Sequence, residues 1–159
     1  VAWPRARHAT RRHRPDRRGR RGLAWKCSDL SAGDLRRRAV PTSNLSLLGL
    51  VRHLAEVERQ WWTHAAGTPQ PYRWCSADRP DADFDDVARA DVDEAFAAWA
   101  EECERGRQVL AASDLDGTFG RTHYTFSVRW LAMHLVEEYA RHNGHADLLR
   151  EAIDGQVGE

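Results

Sequence analysis

HLVEEYARHNGHADLLRE, residues 134–151, keeps helical time with its polar residues. Side chains four apart stack on one face of a helix, so His134, Glu138 and His142 form a stripe, and His145 lies three residues further along it. Burying imidazoles and a carboxylate in a plain core is costly unless they are paired. Two imidazole nitrogens and one carboxylate oxygen are also a half-open donor set for a divalent metal. Two readings therefore stand. The stripe is most of a metal site completed from another helix, or it is a helix face whose histidines hydrogen-bond to neighbouring carboxylates.

Working outward, Ser127 is the expected N-cap of this helix, which runs to about Ile153 before Gly155 stops it. Trp130, Leu131, Met133 and Leu135 give it an apolar start, and Leu148, Leu149 and Ile153 an apolar end. Upstream, Ser113 to Thr122 is a turn-rich connection containing Gly117 and Gly120. Before it, Asp91 and Glu94 have capping-box spacing and open the helix DVDEAFAAWAEECERGRQVLAA. Val92, Phe96, Trp99, Cys103 and Leu110 form its buried side; it has no histidine and reads as scaffold.

A further helix spans about Leu45 to Ala65, where Leu47, Leu50, Val51, Leu54, Val57 and Trp61 recur at spacings of three and four. Thr42, Ser43 and Asn44 offer N-caps. His53 falls on the inward side. A lone histidine there is more often a satisfied core residue than a ligand, but the stripe at 134–142 lacks a donor that His53 could supply. His64, near the helix end, reads as solvated or capping. Between the helices, residues 67–90 form a Pro/Asp/Gly-rich loop anchored by Tyr72, Trp74 and Phe84. Its acids Asp81, Asp83, Asp85 and Asp86 lack the calcium-loop pattern and read as solvated. Ser31 to Arg38 suits a short helical turn, and Leu23 to Leu30 the tail of a first helix.

No stretch alternates convincingly enough for a strand. The expected fold is all-α, a four-helix bundle whose first helix is truncated or disrupted. Residues 1–22 carry nine arginines against one acid, with Pro4, Pro15, Gly19 and Gly22, and show no helical or strand period. They read as a phosphate-binding basic arm, a disordered tail, or, the reading preferred here, a start or frame artefact of GC-rich coding. The expected division is thus an arm at 1–22, a helical bundle at 23–155 and a tail at 156–159.

A chain of 159 residues is one domain, and 42% hydrophobic with 30% charged residues suits a soluble globular protein. No apolar run reaches the roughly 18 residues of a membrane span, and no apolar segment follows the basic N-terminus as a secretory signal would require. Cys27, Cys75 and Cys103 are odd in number and far apart, which fits a reducing cytoplasm and leaves any metal to His and carboxylate. Beyond residue 22 the chain has 15 basic and 23 acidic residues, so no nucleic-acid partner is expected.

SLLGLVRHLAEVERQWW (46–62) and SVRWLAMHLVEEYARHNGHADLLREAIDG (127–155) resemble the DinB-like metalloprotein family, most closely its "mini-circle" branch. The resemblance implies a four-helix bundle holding zinc or nickel through one residue of the second helix and two, four apart, of the last. Those positions are His53, Glu138 and His142, the last of these preceding the turn-like HNGH. Glu138 stands where many relatives have His, a pattern similar to that of mycothiol-dependent maleylpyruvate isomerases. His134 and His145 become proton-shuttling or substrate-facing groups, and either could replace Glu138 as ligand. Relatives have a full helix before LAWKC that residues 1–22 do not supply.

The resemblance implies a divalent-metal-dependent transferase or isomerase acting on small electrophiles, with a low-molecular-weight thiol of mycothiol type as cosubstrate. From the residues themselves, Arg59 or Arg141 reads either as a binder of a substrate carboxylate or, more commonly for exposed helix arginines, as simply solvated. The alternatives are a metal-dependent hydrolase and a non-catalytic, metal-stabilised stress or binding module. Expected partners are a small-molecule substrate and a second copy in a homodimer, with no membrane.

Overall fold

A computed structural model describes residues 16–158. In chain order the elements are α1 (Asp16–Cys27), α2 (Ala32–Arg36), α3 (Leu47–Ala65), α4 (Ala82–Asp85), α5 (Val92–Ala112), β1 (Thr118–Arg121), β2 (Tyr124–Ser127) and α6 (Val128–Asp154). The fold is all-α apart from one small hairpin. Helix α3 packs against α1, α5 and α6, and α1 also packs along α6.

Local chemistry sets most boundaries where expected. The Ser127 side chain accepts from Trp130 N at the start of α6, and Gly155 ends that helix at φ 80°, a left-handed conformation that glycine adopts without strain. The Asp91 side chain likewise accepts from Glu94 N to open α5. Helix α3 is capped later than expected. Its N-cap is Ser46, whose hydroxyl accepts from Gly49 N, and not Thr42, Ser43 or Asn44. Ser46 directly precedes the apolar repeat, so its oxygen alone meets the first free amides.

The core is centred on α3. Leu47, Leu50, Val51 and Leu54 are fully buried with Leu23, Leu35, Cys103 and Leu149, as the spacing requires. A second cluster joins Trp62 to Val128, Leu131 and Leu135. At this end α3 and α5 approach closely through Gly106, where a Cβ would lie 2.3 Å from Trp62 Nε1. Not every expected core position is covered: Trp130, Met133 and Leu148 are exposed on α6.

Three expectations change. First, residues 16–22 are helical: α1 begins at Asp16, within the stretch read as an arm. Arg20 in this segment is buried, and it donates through Nε and Nη2 to Glu58 at 2.8 Å each. Gly19 lets α1 lie against Tyr139, whose Cβ would be 2.6 Å from an added methyl. The rest of the expected arm, residues 1–15, lies outside the described residues.

Second, Thr118 to Ser127 forms an antiparallel hairpin pairing Phe119 with Phe126 and Arg121 with Tyr124. Its alternation covers only four residues per strand, too short a signal to stand out. Third, the 67–90 loop is not a solvated acidic segment throughout. It contains α4, where Asp83 is buried. Trp74 and Phe84 do anchor it against the core, but Tyr72 is exposed.

Candidate metal centre

Two helices and one loop build the site. His53 sits one turn after Gly49 on α3, and Glu138 and His142 sit one turn apart on α6. One ligand atom from each of the three lies within 4.8 Å of the other two. The imidazoles of His53 and His142 are tilted against each other with centroids 4.7 Å apart, and His142 Nε2 is 3.3 Å from Glu138 Oε2.

His53 is held from two sides. Its Nδ1 shares a 2.8 Å hydrogen bond with Asp83 Oδ2, and its ring stacks on Phe84 with centroids 4.6 Å apart. Asp83 reaches it because α4 lies close on α3 at Gly49, where an added Cβ would be only 3.2 Å from Phe84 Cδ1. With Nδ1 occupied by a carboxylate, Nε2 is left as the electron-pair donor. A carboxylate behind a histidine is the usual device for orienting a metal ligand and raising its basicity.

His142 is buried, and that burial together with the neighbouring His53 pushes its imidazolium down to about 4 against the opposing pull of Glu138. At neutral pH His142 is therefore uncharged and presents a lone pair. Two imidazoles and a carboxylate fit the nitrogen-and-oxygen donor set of zinc and related divalent ions.

The remaining predicted residues surround this cluster. His134 Nε2 is 3.7 Å from Glu138 Oε1, and the His134 ring stacks on Trp130 and meets Trp61 at an edge. His145 Nδ1 lies 3.4 Å from His142 Nδ1. His64 turns back on its own helix, its Nδ1 2.6 Å from the Gln60 carbonyl. The arginines expected to hold a substrate are not gathered here. Arg59 Nη1 donates to buried Glu102 and Nε to the Pro71 carbonyl, a structural clamp on the loop, and Arg141 is exposed on α6.

Several contributors carried no local signal. Asp83 was one acid among several in a loop, and only tertiary packing selects it. Glu56 is buried on α3 and accepts the amides of Arg73, Trp74 and Cys75 through Oε1, which fixes the loop beside the site. Arg121 reaches the same region from the hairpin, its guanidinium 4.2 Å from the centroid of Trp61.

None of the chain's cysteines is poised as a nucleophile. Burial pushes the thiols of Cys27 and Cys103 up to about 12 and that of Cys75 up to about 11, so all three stay protonated near neutrality.

A helical protein whose last helix offers a glutamate and a histidine one turn apart to a histidine of an earlier helix is the class defined by this fold and site. The family model for mycothiol S-transferases matches residues 17–155, and the chain belongs to that family. The match includes nearly all of α1. No curated protein and no solved structure matches the chain. No helix among the described residues is long and apolar enough to cross a membrane.

Proposed function

We propose that this protein is a divalent-metal-dependent transferase that joins a low-molecular-weight thiol of mycothiol type to small electrophiles, with His53, Glu138 and His142 as the metal ligands. The observation that carries this reading is the meeting of those three donors within 4.8 Å, from helices that are distant in sequence. Zinc suits the donor set best, and when bound it would stabilise the thiolate form of a coordinated thiol.

The chain's own residues have separable tasks. Asp83 and Phe84 fix the His53 ring and leave its Nε2 as the electron-pair donor. His134, beside Glu138, accepts the proton released by the incoming thiol, and His145 supports the His142 ring through its contact at Nδ1. Trp61, Phe126 and Trp130 form an aromatic wall next to His134 that excludes water from the attacking sulfur. The thiol has to come from outside, because burial keeps the resident cysteines protonated.

The test combines metal analysis with turnover. Purified protein is expected to hold close to one zinc equivalent and to conjugate mycothiol to a chromogenic electrophile. His53→Ala and Glu138→Ala should lose both properties. Full metal retention in both variants would overturn the ligand assignment. Metal-dependent consumption of substrate without added thiol would replace the transferase with a hydrolase.

A further inference from the structure

A cavity of about 210 Å³ opens beside His53, and Trp61 and Arg121 form part of its wall. This is below the roughly 300–1,000 Å³ typical of pockets for drug-sized ligands, so it suits a small molecule. Arg121 is the last residue of β1, at the hairpin tip opposite Tyr124. The hairpin is seated by Phe119 and Phe126, both edge-on to Trp61, and this brings the guanidinium over the indole.

The side chain of Arg121 makes no hydrogen bond or ion pair with any described residue, although it is half-buried. Several other arginines meet carboxylates: Arg59 pairs with Glu102, Arg105 with Glu101 and Glu102, and Arg129 with Asp116. None of the acids lining the same cavity pairs with Arg121: Asp83 holds His53 and the Phe84 amide, Glu56 accepts the 73–75 amides through Oε1, its buried Oε2 having no partner among the described residues, and Asp81 is exposed. A guanidinium stacked on an indole keeps its planar fork of N–H donors free at the edge, the geometry that grips a carboxylate through two parallel bonds.

We infer that Arg121 is a specificity-determining residue which anchors a carboxylate on the electrophilic substrate, so that this transferase favours anionic electrophiles over neutral ones of the same shape. The inference rests on the proposed transferase reading and adds the charge class of the substrate. In the reaction, the thiol sulfur forms a bond to the electrophilic carbon, the carbon–halogen bond breaks, halide leaves with the electron pair, and the thiol proton passes to His134 and then to solvent.

The test pair is 4-(chloromethyl)benzoate and 4-(chloromethyl)benzamide, which share a reactive carbon and differ in charge. The wild-type protein with mycothiol should favour the benzoate by about tenfold or more in kcat/KM, carried mainly by KM. Arg121→Gln should erase that preference, and Arg121→Lys should restore part of it. A preference absent in the wild type, or intact in Arg121→Gln, would overturn the inference. Binding of unreactive benzoate and benzamide, followed by tryptophan fluorescence, gives a readout independent of turnover. Benzoate binding that Arg121→Gln weakens supports the anchor even if neither chloride is consumed, in which case the transferase reading alone has failed. Equal binding of the two probes counts against Arg121.

Discussion

Replacing Glu58 tests how the helices are held together. Its carboxylate is completely buried and accepts from Arg20 of α1, from Trp62 Nε1 one turn along α3, and from Tyr139 of α6, whose hydroxyl also takes a hydrogen bond from Trp99 of α5. Glu58→Met would remove the carboxylate that pairs with the buried Arg20, a change that typically costs about 3–5 kcal/mol. Stranding the indole and phenol donors would add about 1–3 kcal/mol for each one left unpaired, though not additively. A loss of about 5 kcal/mol is the working expectation, a large share of the roughly 5–15 kcal/mol that a domain has in total. For a chain of this size it corresponds to a fall of about 10–20 °C in melting temperature. The companion variant Arg20→Met/Glu58→Met removes both charges and should recover much of the loss. Urea unfolding followed by circular dichroism measures both. If Glu58→Met is no less stable than the double variant, the carboxylate is not neutralising a buried cation, and the account of α1 docking fails.

Other outcomes follow from single contacts. Asp83→Asn keeps the shape but weakens the support of His53, and should lower zinc affinity about 10–100-fold in a competition assay with a chromogenic chelator. Gly106→Ala would drive a methyl into the Trp62 indole, where a Cβ has 2.3 Å of room; a destabilisation of about 1–3 kcal/mol or more is expected by thermal melting. The buried thiols Cys27 and Cys103 have native values near 12, above the unfolded value of 9.0. Their contribution is intact below pH 9 and is lost between pH 9 and 12, as unfolding releases protons that the native state keeps. Cys27→Ala/Cys103→Ala should therefore lose less stability than the parent protein over that window, and iodoacetamide at pH 8 should label Cys27 and Cys103 only after unfolding.

The three candidate metal donors that the fold brings together were legible because they obey a helical repeat: Glu138 and His142 are four apart, and His53 sits among apolar residues at spacings of three and four. The ends of α5 and α6 were legible through Asp91, Ser127 and Gly155, whose side chain or backbone acts within one turn. What escaped depends on partners remote in sequence. An arginine-rich segment looks solvated until Glu58, 38 residues away from Arg20, is seen to neutralise it inside the core. Asp83 is one of several loop aspartates and differs only in the Gly49 groove that seats its helix. In the hairpin, Phe119, Arg121, Tyr124 and Phe126 do alternate, but over strands too short to compete with the flanking turns.

Two of the ties that α3 makes to the 67–90 segment lie one turn apart: Glu56 grips the amides of 73–75, and His53 grips Asp83. Residues 76–80 therefore run as a closed stitch between two points fixed on α3, the 73–75 amides at one end and α4 with its Asp81 start at the other. New loops could be grafted between Cys75 and Asp81 to reshape the rim of the cavity, leaving α4 and the donor atoms beneath it in register.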